Sequence, residues 1–326
     1  MNAIRPRRLR NDKNIRDLAR ETRISSKALI LPLFIKEGNG IIEPIESLEG
    51  HNYYSPDTVQ AGIEDILNAN VKSVLLFGIP DKKDDEGSGA YSEDGVVQKA
   101  VRKIKERYPE ITVITDVCMC EYTANGHCGI VKDGKVINDL TLPYIAKIAL
   151  SHVEAGADIV APSDMMDNRV AEIRKTLEGK GFHDTPIMSY SVKYASSFYG
   201  PFRDVAKSAP AFGDRKTYQM DYHNRREALK EAMLDIQEGA DILMVKPAMA
   251  YLDIIRELKD KTQNPICAYS VSGEYAMIKS AAKLGLVNEY AVMCESAVSM
   301  FRAGADMLIT YYAKELSKAI EKGDIG

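Results

Sequence analysis

The sequence predicts an α/β fold, a (β/α)8 barrel of the TIM type with an extended N-terminal arm, and three observations in its 326 residues carry that prediction. One junction recurs: Gly156-Ala-Asp158, Gly239-Ala-Asp241 and Gly304-Ala-Asp306 each follow an amphipathic stretch and lead into a short apolar run. The glycine suits the position just past a helix end, so each junction reads as helix to strand. The gaps of 83 and 65 residues between the three glycines are too long for one strand and helix, and right for two. Finally, no Gly-x-Gly-x-x-Gly follows the first apolar run, which removes the main signal for an open dinucleotide-binding sheet.

Taken in order, the strands fall at Leu29 to Phe34, Ser73 to Phe77, Ile111 to Thr115, Ile159 to Ala161, Ile187 to Ser191, Ile242 to Val245, Ile266 to Ser270 and Met307 to Thr310. Each is a short apolar run bounded by turn residues, the signature of a strand buried on both faces. Helical periodicity occupies 56–69, 94–107, 141–155, 167–179, 224–238, 250–261, 274–303 with a break near Gly285, and 312–322. Eight alternating units favour a closed barrel, whose chemistry belongs in the loops after the strands. Those loops are unequal. Residues 81–89 are polar and glycine-rich, most simply a solvated loop. Ile130 to Ile137 places apolar pairs around Asp133-Gly134 and predicts a small hairpin. Residues 193–222 hold aromatic, Gly, Pro and Arg residues without helical period, the character of a lid.

Composition adds limits. Apolar residues make up 45% and charged residues 28%, as in ordinary globular proteins. The formal charge of −4 conceals a basic arm, since residues 1–27 carry nine Lys/Arg against three Asp/Glu. Acids interrupt that arm and no aromatic residue accompanies it, so it is read as packing on its own body or on a neighbouring subunit rather than on nucleic acid. The domain reading is therefore an arm over 1–27 and a catalytic barrel over 28–326. With no apolar run near 18 residues and no signal-like start, the chain is read as cytoplasmic, without membrane association. Five cysteines, an odd number, argue against a disulfide framework.

Lys246 closes the apolar run Ile242 to Val245, and Lys193 stands just past another strand, in Ser189-Tyr-Ser-Val-Lys193. On adjacent strands of one barrel the two lysines are neighbours at its mouth. A lysine at a strand end can also snorkel to the surface; two close cations lower each other's pKa, and an apolar collar does the same, which favours neutral amines able to act as nucleophiles toward a carbonyl. Asp116-Val-Cys118-Met-Cys120 continues the third strand at period two, which puts Asp116, Cys118 and Cys120 on one face if the strand persists. Cys128 returns after Asn125-Gly126. Three thiolates without a certain fourth ligand describe a zinc site with an open position. His127 is a possible fourth ligand, although adjacent residues seldom both reach one ion. Arg203 and Arg215, in the lid, suit a clamp on a carboxylate. Ser272 and Tyr311 lie past strands seven and eight, where all strand ends converge.

Four stretches, Asp116-Val-Cys-Met-Cys-Glu-Tyr-Thr-Ala-Asn-Gly-His-Cys128-Gly, Ala161-Pro-Ser-Asp-Met-Met-Asp167, Lys193-Tyr-Ala-Ser-Ser-Phe-Tyr-Gly-Pro-Phe-Arg203 and Met244-Val-Lys-Pro-Ala-Met-Ala-Tyr-Leu-Asp253, closely resemble the porphobilinogen synthase (5-aminolaevulinate dehydratase) family. The resemblance covers essentially the whole chain. It implies a lyase that condenses two 5-aminolaevulinate molecules into porphobilinogen with loss of two waters, in tetrapyrrole (haem) synthesis. On the same basis Lys193 and Lys246 form imines, with Lys246 holding the molecule that supplies the propionate side. Arg203, Arg215 and Gln219 serve the other substrate, Ser272 and Tyr311 contact the carboxylate of the molecule on Lys246, and Asp116, Ser163, Tyr199 and Phe202 line the pocket. Cys118, Cys120 and Cys128 match the ligands of a catalytic zinc. Glu231 matches a glutamate that binds a stimulatory magnesium away from the active site. The resemblance further implies a homo-octamer whose arms embrace neighbours.

Two other readings compete. A class I aldolase-like lyase needs one imine lysine and leaves the other lysine and the cysteines idle. A scaffold barrel with a structural zinc clip requires a closed four-ligand site and lysines of ordinary reactivity.

Overall fold

In the computed structural model, which describes residues 3–326, eight parallel strands surround one core: Leu29–Lys36, Ser73–Ile79, Thr112–Val117, Ile159–Pro162, Met188–Lys193, Ile242–Lys246, Ile266–Tyr269 and Met307–Ile309. In this order we call them the first to the eighth strand. Hydrogen bonding runs from the fourth strand through the third, second, first, eighth, seventh and sixth to the fifth. The ring closes where Val160 pairs with Ile187 and its N–H donates to the Pro186 carbonyl at 3.2 Å. The strands are buried along nearly their whole length, which is why they read as continuous apolar runs rather than alternating ones. The helices Val59–Asn68, Val96–Arg107, Asn138–Glu154, Arg169–Gly179, Arg225–Glu238, Leu252–Lys261, Ser272–Lys283, Glu289–Ala303 and Ala313–Glu321 lie between and after them.

The repeated Gly-Ala-Asp has a physical job at each junction. The glycines hold φ of 106°, 103° and 126°, left-handed values that end the preceding helix. The aspartates then clamp the entering strand to its neighbour. Val113 N–H donates to Asp158 at 2.7 Å, Ile187 N–H to Asp241 at 2.8 Å and Ile266 N–H to Asp306 at 2.9 Å. A cation on a flanking helix completes each clamp: Lys105 on Asp158, Arg174 on Asp241 and Lys259 on Asp306. Three copies of one device thus set strand register on the face opposite the chemistry.

Several details depart from the sequence reading. The third strand stops at Val117, opposite Pro162, and the chain turns, with Tyr122 and Thr123 N–H both bonded to the Met119 carbonyl. The period-two face therefore does not extend to Cys118 and Cys120. The long helical stretch near the C-terminus splits at Gly285, φ 71°, as its break suggested. The lid contains a helix, Gly200–Val205, begun by Pro201, which was read as aperiodic because six residues show too little period. The loop at 81–89 is largely exposed, as expected, and is anchored where Asp84 pairs with Thr123. An antiparallel pair, Ile42–Pro44 with Asn52–Tyr54, extends the sheet beside the first strand and was not anticipated. The hairpin Val131–Lys132 with Lys135–Val136 turns through Asp133 and Gly134, both at positive φ.

Within the arm, Asp12 caps the helix Lys13–Ala19 by accepting from Ile15 N–H at 3.1 Å. Ile4, Leu9 and Leu18 remain 93%, 62% and 82% exposed, so this segment buries little apolar surface against its own barrel. Among the described residues, no helix is long and apolar enough to cross a membrane.

Candidate active site

Parallel pairing of the fifth and sixth strands puts Lys246 directly opposite Lys193 in register, where the strands run out at the barrel mouth. Both are buried, at 4% and 5% exposure. Lys246 Nζ lies 4.2 Å from the Tyr269 ring centroid and 5.0 to 5.4 Å from those of Tyr190, Tyr199 and Phe202. Ring faces favour a cation. Burial and the Lys193 charge outweigh them and bring the Lys246 amine from 10.5 down to about 7. Lys193 donates to the Ser163 carbonyl and sits 5.4 Å from the Tyr190 ring, which lies close to both amines.

The opposite wall is acidic. Asp116 accepts from the Ser163 hydroxyl at 3.0 Å. Burial, then the charge of Glu121, push its carboxyl up to about 7, against the pull of Lys193 and Lys246. Glu121 lines the same cavity at 3% exposure, with Cys120 Sγ 3.2 Å from its carboxylate. Sequence reasoning passed over Glu121. Its signal was an acid embedded in a stretch that otherwise reads as buried.

Cys118, Cys120 and Cys128 come together despite the early strand end, their sulfurs all within 4.8 Å of one another and buried. Cys118 and Cys120 are 3.3 Å apart. Thiol hydrogen bonds from Cys118 and Cys120 hold Cys128 well below the usual thiol range, while burial pushes Cys118 up. Three sulfurs converging within 4.8 Å are a donor set that a soft or borderline dication completes by displacing thiol protons. The fit to a metal is therefore good. His127 is not placed to be a fourth ligand. Its Nε2 faces the Phe212 carbonyl at 3.1 Å and its Nδ1 faces the Tyr218 hydroxyl at 3.0 Å.

The lid covers these groups. Tyr199 donates to the Tyr194 carbonyl at 2.8 Å and reaches the Lys246 carbonyl at 3.1 Å, which fixes it beside the amine. Phe202 N–H donates to the Ser272 hydroxyl at 2.9 Å, so Ser272 ties the helix after the seventh strand to the lid. Arg203 and Arg215 line the cavity, and Arg215 donates to the Gly126 carbonyl at 2.9 Å. Tyr311, past the eighth strand, stacks on Phe34 with centroids 6.4 Å apart. The enclosed space is about 20 Å³, room for roughly one water. Among the described residues, Asp116 Oδ1, Arg203 Nε and Arg215 Nε, on residues that line the cavity, are buried without a hydrogen-bond partner, as are both amide atoms of Gln219. Each such group costs about 1 to 3 kcal/mol, which a polar ligand would return.

Gln219 and Glu231 line a cleft of about 360 Å³ with Asp167 and Glu227; Gln219 also borders the site, since its N–H donates to the Arg215 carbonyl at 2.8 Å and the next residue, Met220, donates to the Lys193 carbonyl at 3.1 Å. Burial raises the Glu231 carboxyl above its ordinary value, against the pull of Arg169.

A parallel barrel with two buried amines paired across adjacent strand ends, beside a thiol cluster, has the architecture of a TIM-barrel enzyme with its polar groups gathered at the strand ends. The family model for delta-aminolevulinic acid dehydratase matches residues 3–319, and the chain belongs to that family of hydro-lyases, also called porphobilinogen synthases. Its curated relatives include delta-aminolevulinic acid dehydratases of Archaeoglobus fulgidus, 53% identical over 98% of both chains, and of Halalkalibacterium halodurans, 52% identical over 96% of both. The crystal structure of the Toxoplasma gondii porphobilinogen synthase in complex with the reaction product porphobilinogen superposes with a TM-score of 0.96. The match has 42% identity and covers 99% of this chain and 94% of that one.

Proposed function

We propose that the chain condenses two 5-aminolaevulinate molecules into porphobilinogen and two waters through imines on Lys246 and Lys193. The observation that carries the proposal is the register pairing of those two lysines, with the Lys246 amine near pKa 7. A neutral amine attacks the substrate ketone, and the carbinolamine expels its oxygen as water to give the imine. Asp116, also near 7, can carry the proton to that leaving oxygen, and Ser163 orients Asp116. Arg203, Arg215 and Gln219 bind the second substrate, and Ser272 and Tyr311 the carboxylate of the first, with Tyr199 and Phe202 shaping the wall between. Holding both substrates in one closed cavity removes the entropy cost of their encounter.

Zinc, held by Cys118, Cys120 and Cys128, supplies a Lewis acid when bound. The all-sulfur donor set supports zinc over magnesium at this position. The carboxylate cleft at Glu231 supports magnesium as the second, stimulatory ion. The exposed apolar side chains on the arm support its role in a homo-octamer of cytoplasmic subunits, where a neighbour would cover them. Two measurements test the metal assignment. Cysteine-to-serine replacement at all three positions is expected to abolish zinc binding and turnover together, and full turnover by the zinc-free triple variant would refute the assignment.

A further inference from the structure

Beyond its contacts with substrates and metal, the site has an internal seam. The segment 207–218 of the lid lies along the loop that carries Cys120 and Cys128, the two are stitched at three points, and a fourth bond ties the lid to the loop after the second strand. Ala211 N–H donates to the Asn125 carbonyl at 2.9 Å. Arg215 donates to the Gly126 carbonyl at 2.9 Å and also to Ser208 within the lid. Lys83, from the loop after the second strand, donates to the Lys207 carbonyl at 2.6 Å. The remaining point is His127, whose ring spans the seam.

The partners fix the His127 tautomer. The Phe212 carbonyl can only accept, so Nε2 carries the proton and donates to it at 3.1 Å. Nδ1 then accepts from the Tyr218 hydroxyl at 3.0 Å. The ring also packs on Phe212, with centroids 4.6 Å apart. Both ring nitrogens are thereby satisfied at 3% exposure, and both bonds end on lid residues that flank Arg215 on either side. The backbone agrees, because Gly126, at φ 69°, comes so close to the lid that a Cβ there would clash with the Ala209 carbonyl oxygen. Next in the chain after His127 is Cys128, one of the three clustered sulfurs.

We propose that His127 is a positioning residue that locks the lid to the cysteine loop and so holds Arg215 over the cavity. Closing the lid and ordering the cysteine loop become one event, and a metal on the three sulfurs favours the closed lid through His127. This inference rests on the reading of Arg215 as a substrate clamp and adds a residue that acts through it.

The test is a double-mutant cycle on the zinc-loaded protein. His127→Phe keeps the ring and its packing and removes both hydrogen bonds. The expected result is a KM for 5-aminolaevulinate raised about tenfold with kcat little changed, unaltered zinc stoichiometry and faster proteolysis within 207–218. Tyr218→Phe, which removes one bond and leaves His127 in place, is expected to show the same pattern, weaker. In Arg215→Lys the further change His127→Phe is expected to add little, because its effect passes through Arg215. Independent multiplication of the two effects would overturn the proposal, as would a His127→Phe variant whose lid is cleaved no faster than the parent's with zinc bound. An Arg215→Lys variant with unchanged KM would instead remove the clamp reading itself, and the proposal with it.

Discussion

The Lys246 amine offers the sharpest quantitative test. Its pKa falls from 10.5 to about 7, with burial the largest cause and the Lys193 charge next. At pH 7 about half of it is neutral, against roughly one part in three thousand for a solvated lysine, a gain of about a thousandfold in nucleophile. Cyanoborohydride trapping of the Lys246 imine, read by peptide mass across pH 5 to 10, is expected to rise with a midpoint near 7. In Lys193→Met the midpoint is expected to move upward by part of that difference, because the second cause is gone and burial stays. Asp116→Asn is expected to move it downward, since Asp116 opposes the shift. Stability follows with a definite sign. A folded pKa below the unfolded one penalises the folded state as pH falls from 10.5 through about 7, and the penalty reaches on the order of 4 kcal/mol at pH 7. Lys246→Met is therefore expected to resist urea better than the parent at pH 7, and by a smaller margin at pH 10. A wild-type trapping midpoint near 10, or a midpoint lowered by Lys193→Met, would refute the reasoning.

Other consequences are simpler. His152 is buried with both ring nitrogens unpartnered among the described residues, and burial lowers its pKa from 6.5 to about 3. The protein is expected to lose stability as pH falls from about 6.5 toward 3, and His152→Leu to flatten that part of a pH-dependent denaturation profile. Asp241→Ala removes the acceptor for Ile187 N–H and the partner of Arg174, and should lower unfolding free energy by about 1 to 3 kcal/mol in urea titration, with KM unchanged. Gly126→Ala adds a Cβ against the Ala209 carbonyl at a left-handed position. It should raise KM and lid proteolysis while three-thiol metal binding persists.

The parts of the fold that obey simple periodicity were legible. Eight buried strands read as apolar runs, and Gly-Ala-Asp marked three strand entries because a left-handed turn and a strand clamp need just those side chains. What escaped was set by tertiary contact. The pair Ile42–Pro44 with Asn52–Tyr54 carries too few residues for a period, and the helix Gly200–Val205 has under two turns. Strand extension through Cys118 failed because hydrogen-bonding partners end at Pro162. At the site, Lys193 and Lys246 could be paired from strand order alone, since parallel neighbours of similar length end side by side. Their apolar collar was partly visible: Tyr199 and Phe202 came through the family resemblance, while Tyr190 and Tyr269, on two different strands, were not anticipated. Glu121 and the span of His127 across the seam depend on where a turn sends each side chain, which adjacency to Cys120 and Cys128 does not reveal.

Central to the account is that both strand-end lysines form imines with substrate. Borohydride reduction of the zinc-loaded protein in the presence of 5-aminolaevulinate, followed by peptide mass mapping, measures this directly. Reduced adducts on both Lys246 and Lys193 are the predicted result; zinc-loaded, folded protein that yields no adduct on either lysine would contradict it.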